Sequence, residues 1–188
     1  MAQPIVDLAS DSRLIEPTAR LLLDVFRNRT ADWQDLESAR QEVLASLEPD
    51  RISRVFVDGS RDVLGWIGGI STYGGRVWEL HPLAVAGSHR RRGIGRRLVD
   101  DLERLVAGRG ALTLWAGADD EHGETTLGGT DLYPDIQGAI ARIRNTGRHP
   151  YEFYLRVGFT IAGVLPDANG RGKPDIFLAK RVGDRTAL

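Results

Sequence analysis

Residues 77–106 read VWELHPLAVAGSHRRRGIGRRLVDDLERLV, and this stretch decides the fold. A short strand, Val77 to Val85, runs into the turn Arg90-Arg91-Arg92-Gly93-Ile94-Gly95. A helix follows, with Ile94, Leu98, Leu102 and Leu105 on one face. A glycine turn at a helix N-terminus gathers unpaired backbone N–H groups, and here guanidinium groups flank them. Such an arrangement suits a pyrophosphate. Gly93 and Gly95 let the backbone come close to a ligand. The pattern is not a dinucleotide fingerprint, because Leu98 stands where the third glycine belongs. Nor is it a P-loop, because Arg96-Arg97 replaces the Lys-Ser/Thr pair. The strand itself carries Glu79 and His81, two apart and so on one face of a regular strand. Pro82 has no N–H for a ladder and marks a break in regular pairing.

Before this strand, Gly74-Gly75 turns the chain into it from another, Val63 to Thr72, which is broken by Gly65, Gly68 and Gly69. Asp58-Gly59-Ser60 reads as a hairpin turn from Ile52 to Val57, so three consecutive antiparallel strands are predicted. Upstream, Ile5 to Leu8 reads as a strand. Helices are predicted over 15–28, with Pro17 in the first turn, and over 33–47, ended by Pro49-Asp50. Downstream, Ala111 to Ala116 reads as a strand whose approach from a helix suggests a parallel partner. Residues 117–149 form a long insertion with a short helix marked by Leu132, Ile136, Ile140 and Ile143; a loop of this length is usually functional or disordered. A helix over 150–157 and strands near 159–165 and 175–180 complete a mixed sheet with helices on both faces.

Length and composition bound the function. The 188 residues suit one domain, 1–188, with 41% hydrophobic and 27% charged residues. Charge nearly balances, at −1, which argues against a dedicated nucleic-acid binder. Cysteine is absent, so thiolate nucleophiles, disulfides and zinc-thiolate sites are excluded, and no metal site is expected. The N-terminal MAQPIVDLASDSR lacks a basic stretch followed by an apolar run, and no apolar segment is long enough to span a bilayer. A cytoplasmic protein with no membrane partner is expected.

Arg90-x-x-Gly93-x-Gly95 resembles the acetyl-CoA pyrophosphate loop of the GNAT superfamily of N-acetyltransferases, and Tyr154-x-x-x-Gly158-Phe159 resembles the helix-to-strand segment that follows it there. More narrowly, WELHPLAV, GADDE, HPYEFY and PDANGRGKPDI resemble the bacterial aminoglycoside 6′-N-acetyltransferases, over about Tyr73 to Val182. The resemblance implies a GNAT fold of mixed α/β class: a mostly antiparallel sheet whose central strands splay apart, with helices on both faces. It implies acetyl-CoA as co-substrate, contacted by Leu83, Val85, Arg90, Arg91, Arg92, Gly93, Ile94, Gly95 and Tyr154. The N–H of Leu83 would polarise the thioester carbonyl, a kind of contact worth about 2.7–4 kcal/mol in a rate. Tyr154 would return a proton to the departing thiolate; a phenol's pKa of about 10 lies above the thiol's, about 8.5. A homodimer formed through the C-terminal region, where Pro166 to Gly170 reads as a tight turn, is also implied.

For the acceptor, the resemblance places Glu79 and His81 at the site. An ammonium ion must lose a proton before its nitrogen attacks, and a carboxylate can orient it and take that proton. His81 can equally brace the bulge beside Pro82. Asp119 and Asp120, followed by Glu121, suit a polycationic sugar. Asp32 and Asp35 flank Trp33, which would offer a flat stacking surface, and Tyr73 would line the same cleft. The expected function is therefore direct transfer of acetyl from acetyl-CoA to the 6′-amine of an aminoglycoside, a resistance activity. Two alternatives remain: a related enzyme for another amine (polyamine, small metabolite or protein N-terminus), and an acyl-CoA-binding module without turnover.

Overall fold

In the computed structural model the described residues are 5–27, 29 and 32–183. The first residues of the N-terminal stretch, and Asn28 at the end of the helix predicted over 15–28, lie outside them. The chain divides into two compact units, residues 1–112 with 182–188, and residues 113–181.

The first unit comprises β1 (Ile5–Asp7), α1 (Ile15–Phe26), α2 (Leu36–Ala45), β2 (Arg51–Val57), β3 (Val63–Thr72), β4 (Val77–Val85) and α3 (Ile94–Gly108). Its strands run antiparallel in the order β1-β2-β3-β4. β1 stops one residue short of the prediction because the Asp7 carboxylate accepts the Ala9 N–H and opens a 3-10 turn over Leu8–Ser10. α2 begins at Leu36, three residues later than predicted. Asp35 and Ser38 form a capping box there, each side chain accepting the other's backbone N–H. Trp33 therefore precedes the helix.

Three glycines do not break β3; each admits a neighbour. A Cβ on Gly65 would lie 2.9 Å from side-chain atoms of Ile94 and Leu98, and one on Gly69 would lie 2.9 Å from Leu102 Cδ1. α3 thus beds its buried face directly on the strand, and the guanidinium of Arg54 on β2 ties it down through a 2.7 Å hydrogen bond to Asp101. On the other face Leu22, Trp33, Ala39, Val43, Val55, Trp66 and Ala84 form the core under α1 and α2. Each large apolar side chain buried there contributes about 1.5–3 kcal/mol. Trp66 spends its polar handle inside: its Nε1–H donates to Ser53 Oγ at 2.9 Å.

The second unit comprises β5 (Thr113–Asp119), α4 (Ile136–Ala141), α5 (Tyr151–Arg156), β6 (Thr160–Leu165) and β7 (Asp175–Arg181). Its strands are antiparallel in the order β5-β7-β6. The insertion is tied by a bridge between Thr125 and Asn145 and by the Thr146 N–H donating to Glu124 O at 2.8 Å. Its helix starts at Ile136, because Asp135 caps it by accepting the Gly138 N–H, and ends at Ala141; Leu132 and Ile143 fall outside. The connection between the last two strands, residues 166–174, is longer than the predicted tight turn and is held by the Gly172 N–H on Asp167 Oδ1 at 2.6 Å. Among the described residues no helix is long and apolar enough to cross a membrane.

Candidate functional site

After β4 a 3-10 turn over Gly87–His89 delivers the chain to the arginine-glycine loop. Arg91 and Gly93 both take positive φ, 62° and 82°. Gly93 is the residue before α3 and sits in the left-handed region, where a side chain costs about 1–2 kcal/mol. A Cβ there would meet nothing within 4 Å, so conformation, not crowding, calls for glycine. The first turn of α3 begins at this loop, so its leading N–H groups have no partner within the helix. Arg90, Arg91 and Arg92 are exposed along the loop, and Arg90 Nε donates to Val85 O at 3.3 Å. Ile94, predicted among the coenzyme contacts, offers only its backbone: its side chain is 4% exposed and packs at Gly65. A concavity of about 460 Å³ opens beside the loop, lined by Leu21, Asp24 and Val25 of α1 and by Gly87 and Arg90.

The interruption predicted at Pro82 is a bulge. Gly69 pairs with Leu80 and Ile67 with Leu83, so His81 and Pro82 together oppose Gly68. A Cβ on Gly68 would collide with the His81 carbonyl oxygen. The bulge changes which way β4 faces. Glu79 lies opposite Ile70 on the α2 side of the sheet, whereas Leu83 and Val85, opposite Ile67 and Gly65, share the α3 side.

On the α2 side a concavity of about 590 Å³ is lined by Asp32, Trp33, Gln41, Glu42, Ala45 and His81, with Ser38 beside them. The His81 ring rests against Trp33, centroids 5.7 Å apart, and Phe26 meets Trp33 edge-on at 4.9 Å. Trp33 is 7% exposed and packs mainly in the core, so it reaches the concavity with only a small part of its surface rather than with the flat stacking face predicted. Asp32 is exposed at the rim. Tyr73 is 79% exposed on the turn before β4 and is not among the lining residues. Glu79 is half-buried; desolvation pushes its carboxyl above the usual range, while His81 and Arg51 pull the other way. A carboxylate with raised proton affinity is a better acceptor for an ammonium proton. Glu42 and Gln41 went unnoticed in the sequence because on α2 they read as a solvated face; no local signal separates the two cases.

In the second unit Tyr154 is buried between Phe153 and Phe159, each 5.4 Å away edge-on, and burial pushes its phenol up, so it stays protonated. Asp119 is exposed at the end of β5 and accepts from Asn169 Nδ2. Asp120 does not face a ligand as predicted. It is 1% exposed, and its carboxylate accepts the N–H groups of Glu124 and Thr125 and the Thr125 hydroxyl at 2.6–3.0 Å. It closes the loop. His149, unassigned in the sequence, is buried beside it. Its Nδ1 accepts the Tyr151 N–H, so the proton is on Nε2, which donates to Asp119 O at 3.1 Å. No group of three metal-ligating side chains occurs among the described residues.

The pattern of the Acetyltransferase (GNAT) family matches residues 18–125. Among solved structures the chain is similar to an aminoglycoside 6′-N-acetyltransferase complexed with coenzyme A, at 41% identity over 97% of this chain and 98% of that one, with a TM-score of 0.89. The enzyme of the same description from Enterococcus faecium is also 41% identical over 97% and 98%, with a TM-score of 0.87. An aminoglycoside 6′-acetyltransferase type Ii is 36% identical over 97% and 99%, at 0.75. No curated protein matches.

Proposed function

The chain belongs to the GNAT family of acetyltransferases, and from that premise we propose that it transfers acetyl from acetyl-CoA to the 6′-amine of an aminoglycoside. The observation that carries the acceptor class is the concavity on the α2 side of β4, where Asp32, Glu42 and His81 line a space beside Glu79. Two carboxylates at such a mouth favour a cationic amine. The likeness to solved aminoglycoside 6′-N-acetyltransferases over nearly the whole chain supports the choice among amines.

In this reading the N–H groups of Gly93, Ile94 and Gly95, with Arg90, Arg91 and Arg92, hold the coenzyme's diphosphate. The uncrowded space at Gly93 and the exposed arginines fit such a group. Leu83 donates its N–H toward the thioester carbonyl, and Val85 lines the arm. Glu79 orients the acceptor ammonium and takes its proton. The freed nitrogen attacks the carbonyl carbon, the C–N bond forms as the C–S bond breaks, the Tyr154 phenol protonates the leaving thiolate, and the second proton shed by the acylated nitrogen passes through water to restore that phenol. His81, braced by Trp33, and Asp119 contribute to acceptor binding. No covalent enzyme intermediate is involved. We further propose that the 188 residues act as one domain, that the enzyme is a cytoplasmic homodimer, and that its biological effect is aminoglycoside resistance.

Thiol release from acetyl-CoA tests this reading against both alternatives. Turnover is expected with kanamycin-type compounds carrying a 6′-amine and not with analogues carrying a 6′-hydroxyl. Equal turnover with polyamines alone points to a different acceptor, and coenzyme binding with no release for any amine returns the chain to a binding module.

A further inference from the structure

On the α2 side of the sheet Glu79 ends a cross-strand row that begins at Arg51, a residue the transfer chemistry has not used. Arg51 pairs with Ile70 across β2 and β3, and Ile70 pairs with Glu79 across β3 and β4. Residues directly opposite one another share a face, so Arg51 and Glu79 stand on the same side with one strand between them, about 10 Å apart at Cα. That span is within an arginine's reach. Arg51 is also approached from above: its Nη1 lies 3.6 Å from Glu42 Oε1, with side chains 26% and 21% exposed. Glu42 Oε1 is enclosed and accepts no hydrogen bond, and Glu42 lines the concavity that His81 borders. One guanidinium therefore stands between two carboxylates, gripped loosely by the first and facing the second.

We propose that Arg51 and Glu42 are positioning residues for Glu79: the guanidinium is shared between the two carboxylates, and Glu42 determines how much of its charge reaches Glu79. This rests on the reading of Glu79 as the group that takes the acceptor's proton. The charged groups facing Glu79 in its unit are His81 on its own strand, Arg51 from β2, Glu42 from α2 behind Arg51, and Asp32 at the rim. Removing the cation raises the proton affinity of Glu79; removing Glu42 releases the cation toward Glu79 and lowers it. A pair that merely held α2 to β2 would destabilise the fold in both variants and displace neither titration.

The test is the pH profile of kcat/KM for the 6′-amino substrate in Arg51→Met, Arg51→Lys, Glu42→Gln and Glu79→Gln. The acid limb should move up by roughly half to one pH unit in Arg51→Met, a size expected for unit charges within about 10 Å of each other in a partly screened setting. It should move down in Glu42→Gln and stay near wild type in Arg51→Lys. A limb unmoved in Arg51→Met and in Glu42→Gln, with Glu79→Gln inactive, overturns the proposal alone. Full activity in Glu79→Gln overturns the reading of Glu79 and the pair's role with it. Should Arg51→Met fail to fold, Glu42→Gln, which keeps shape, decides by the direction of its shift.

Discussion

Gly68 has no side chain because the His81 carbonyl occupies that space, and through it one residue governs the site. Gly68→Ala has to push His81 and Pro82 away from β3. Overpacking of this kind costs about 1–3 kcal/mol, and the displaced segment lies between Glu79 and Leu83. We expect a loss of at least about tenfold in kcat/KM with a lowered denaturation midpoint. Wild-type kinetics in Gly68→Ala would separate the bulge from the chemistry. Glu79 offers a second test at this scale. Desolvation raises its folded-state pKa, against the weaker pull of His81 and Arg51, so the carboxyl keeps its proton to higher pH than an ordinary glutamate. The acid limb of kcat/KM should therefore lie above the usual carboxylate range and vanish in Glu79→Gln. A limb at the ordinary value would mean that water reaches the group freely.

The elements differ in how far local pattern reveals them. β4 and α3 were legible at once, since a proline-interrupted strand, a glycine turn and an apolar stripe at helical spacing are all local signals. The start of α2 was not, because the Asp35–Ser38 capping box overrides the apolar run that begins at Trp33. The glycines of β3 read as breaks because glycine weakens an isolated strand, whereas Gly65 and Gly69 admit α3 and Gly68 admits the His81 carbonyl. Of the candidate site, the shared face of Glu79 and His81 and the glycine turn before α3 follow from the strand and turn pattern, while the burial of Asp120 and the inward aspect of Glu42 depend on packing that no short window contains. Gly69 and Leu102 test the element contact directly. Gly69→Ala meets Leu102 Cδ1 and should cost about 1–3 kcal/mol, and Leu102→Ala alone about 2–5 kcal/mol. Denaturant unfolding of the double variant should show less than the sum, since the truncation vacates the space that the new methyl needs. Strict additivity would mean that α3 does not rest on Gly69.

At the scale of the whole chain, the path leaves the first unit after Leu112 and returns at Val182, whose N–H donates to Leu112 O at 2.9 Å. The second unit is thus a continuous excursion whose ends are clasped together, and its own loop is closed by Asp120 and His149. If the 188 residues act as one domain, as proposed, calorimetry should show a single unfolding transition with matching calorimetric and van't Hoff enthalpies, and two resolved transitions would reject that. The pH dependence of this transition identifies a contributor. Burial holds the pKa of His149 below its ordinary 6.5 despite the nearby Asp120 carboxylate. The unfolded chain therefore takes up a proton near pH 6.5 that the folded chain refuses until lower pH. The stability tied to neutral His149 is fully present above pH 6.5 and is lost as pH falls from there through the folded value. The melting temperature should decline over that window. His149→Gln should lower the melting temperature at neutral pH, because the Nδ1 and Nε2 hydrogen bonds are disturbed, yet flatten the decline. A decline equally steep in the variant would assign the proton uptake to another group.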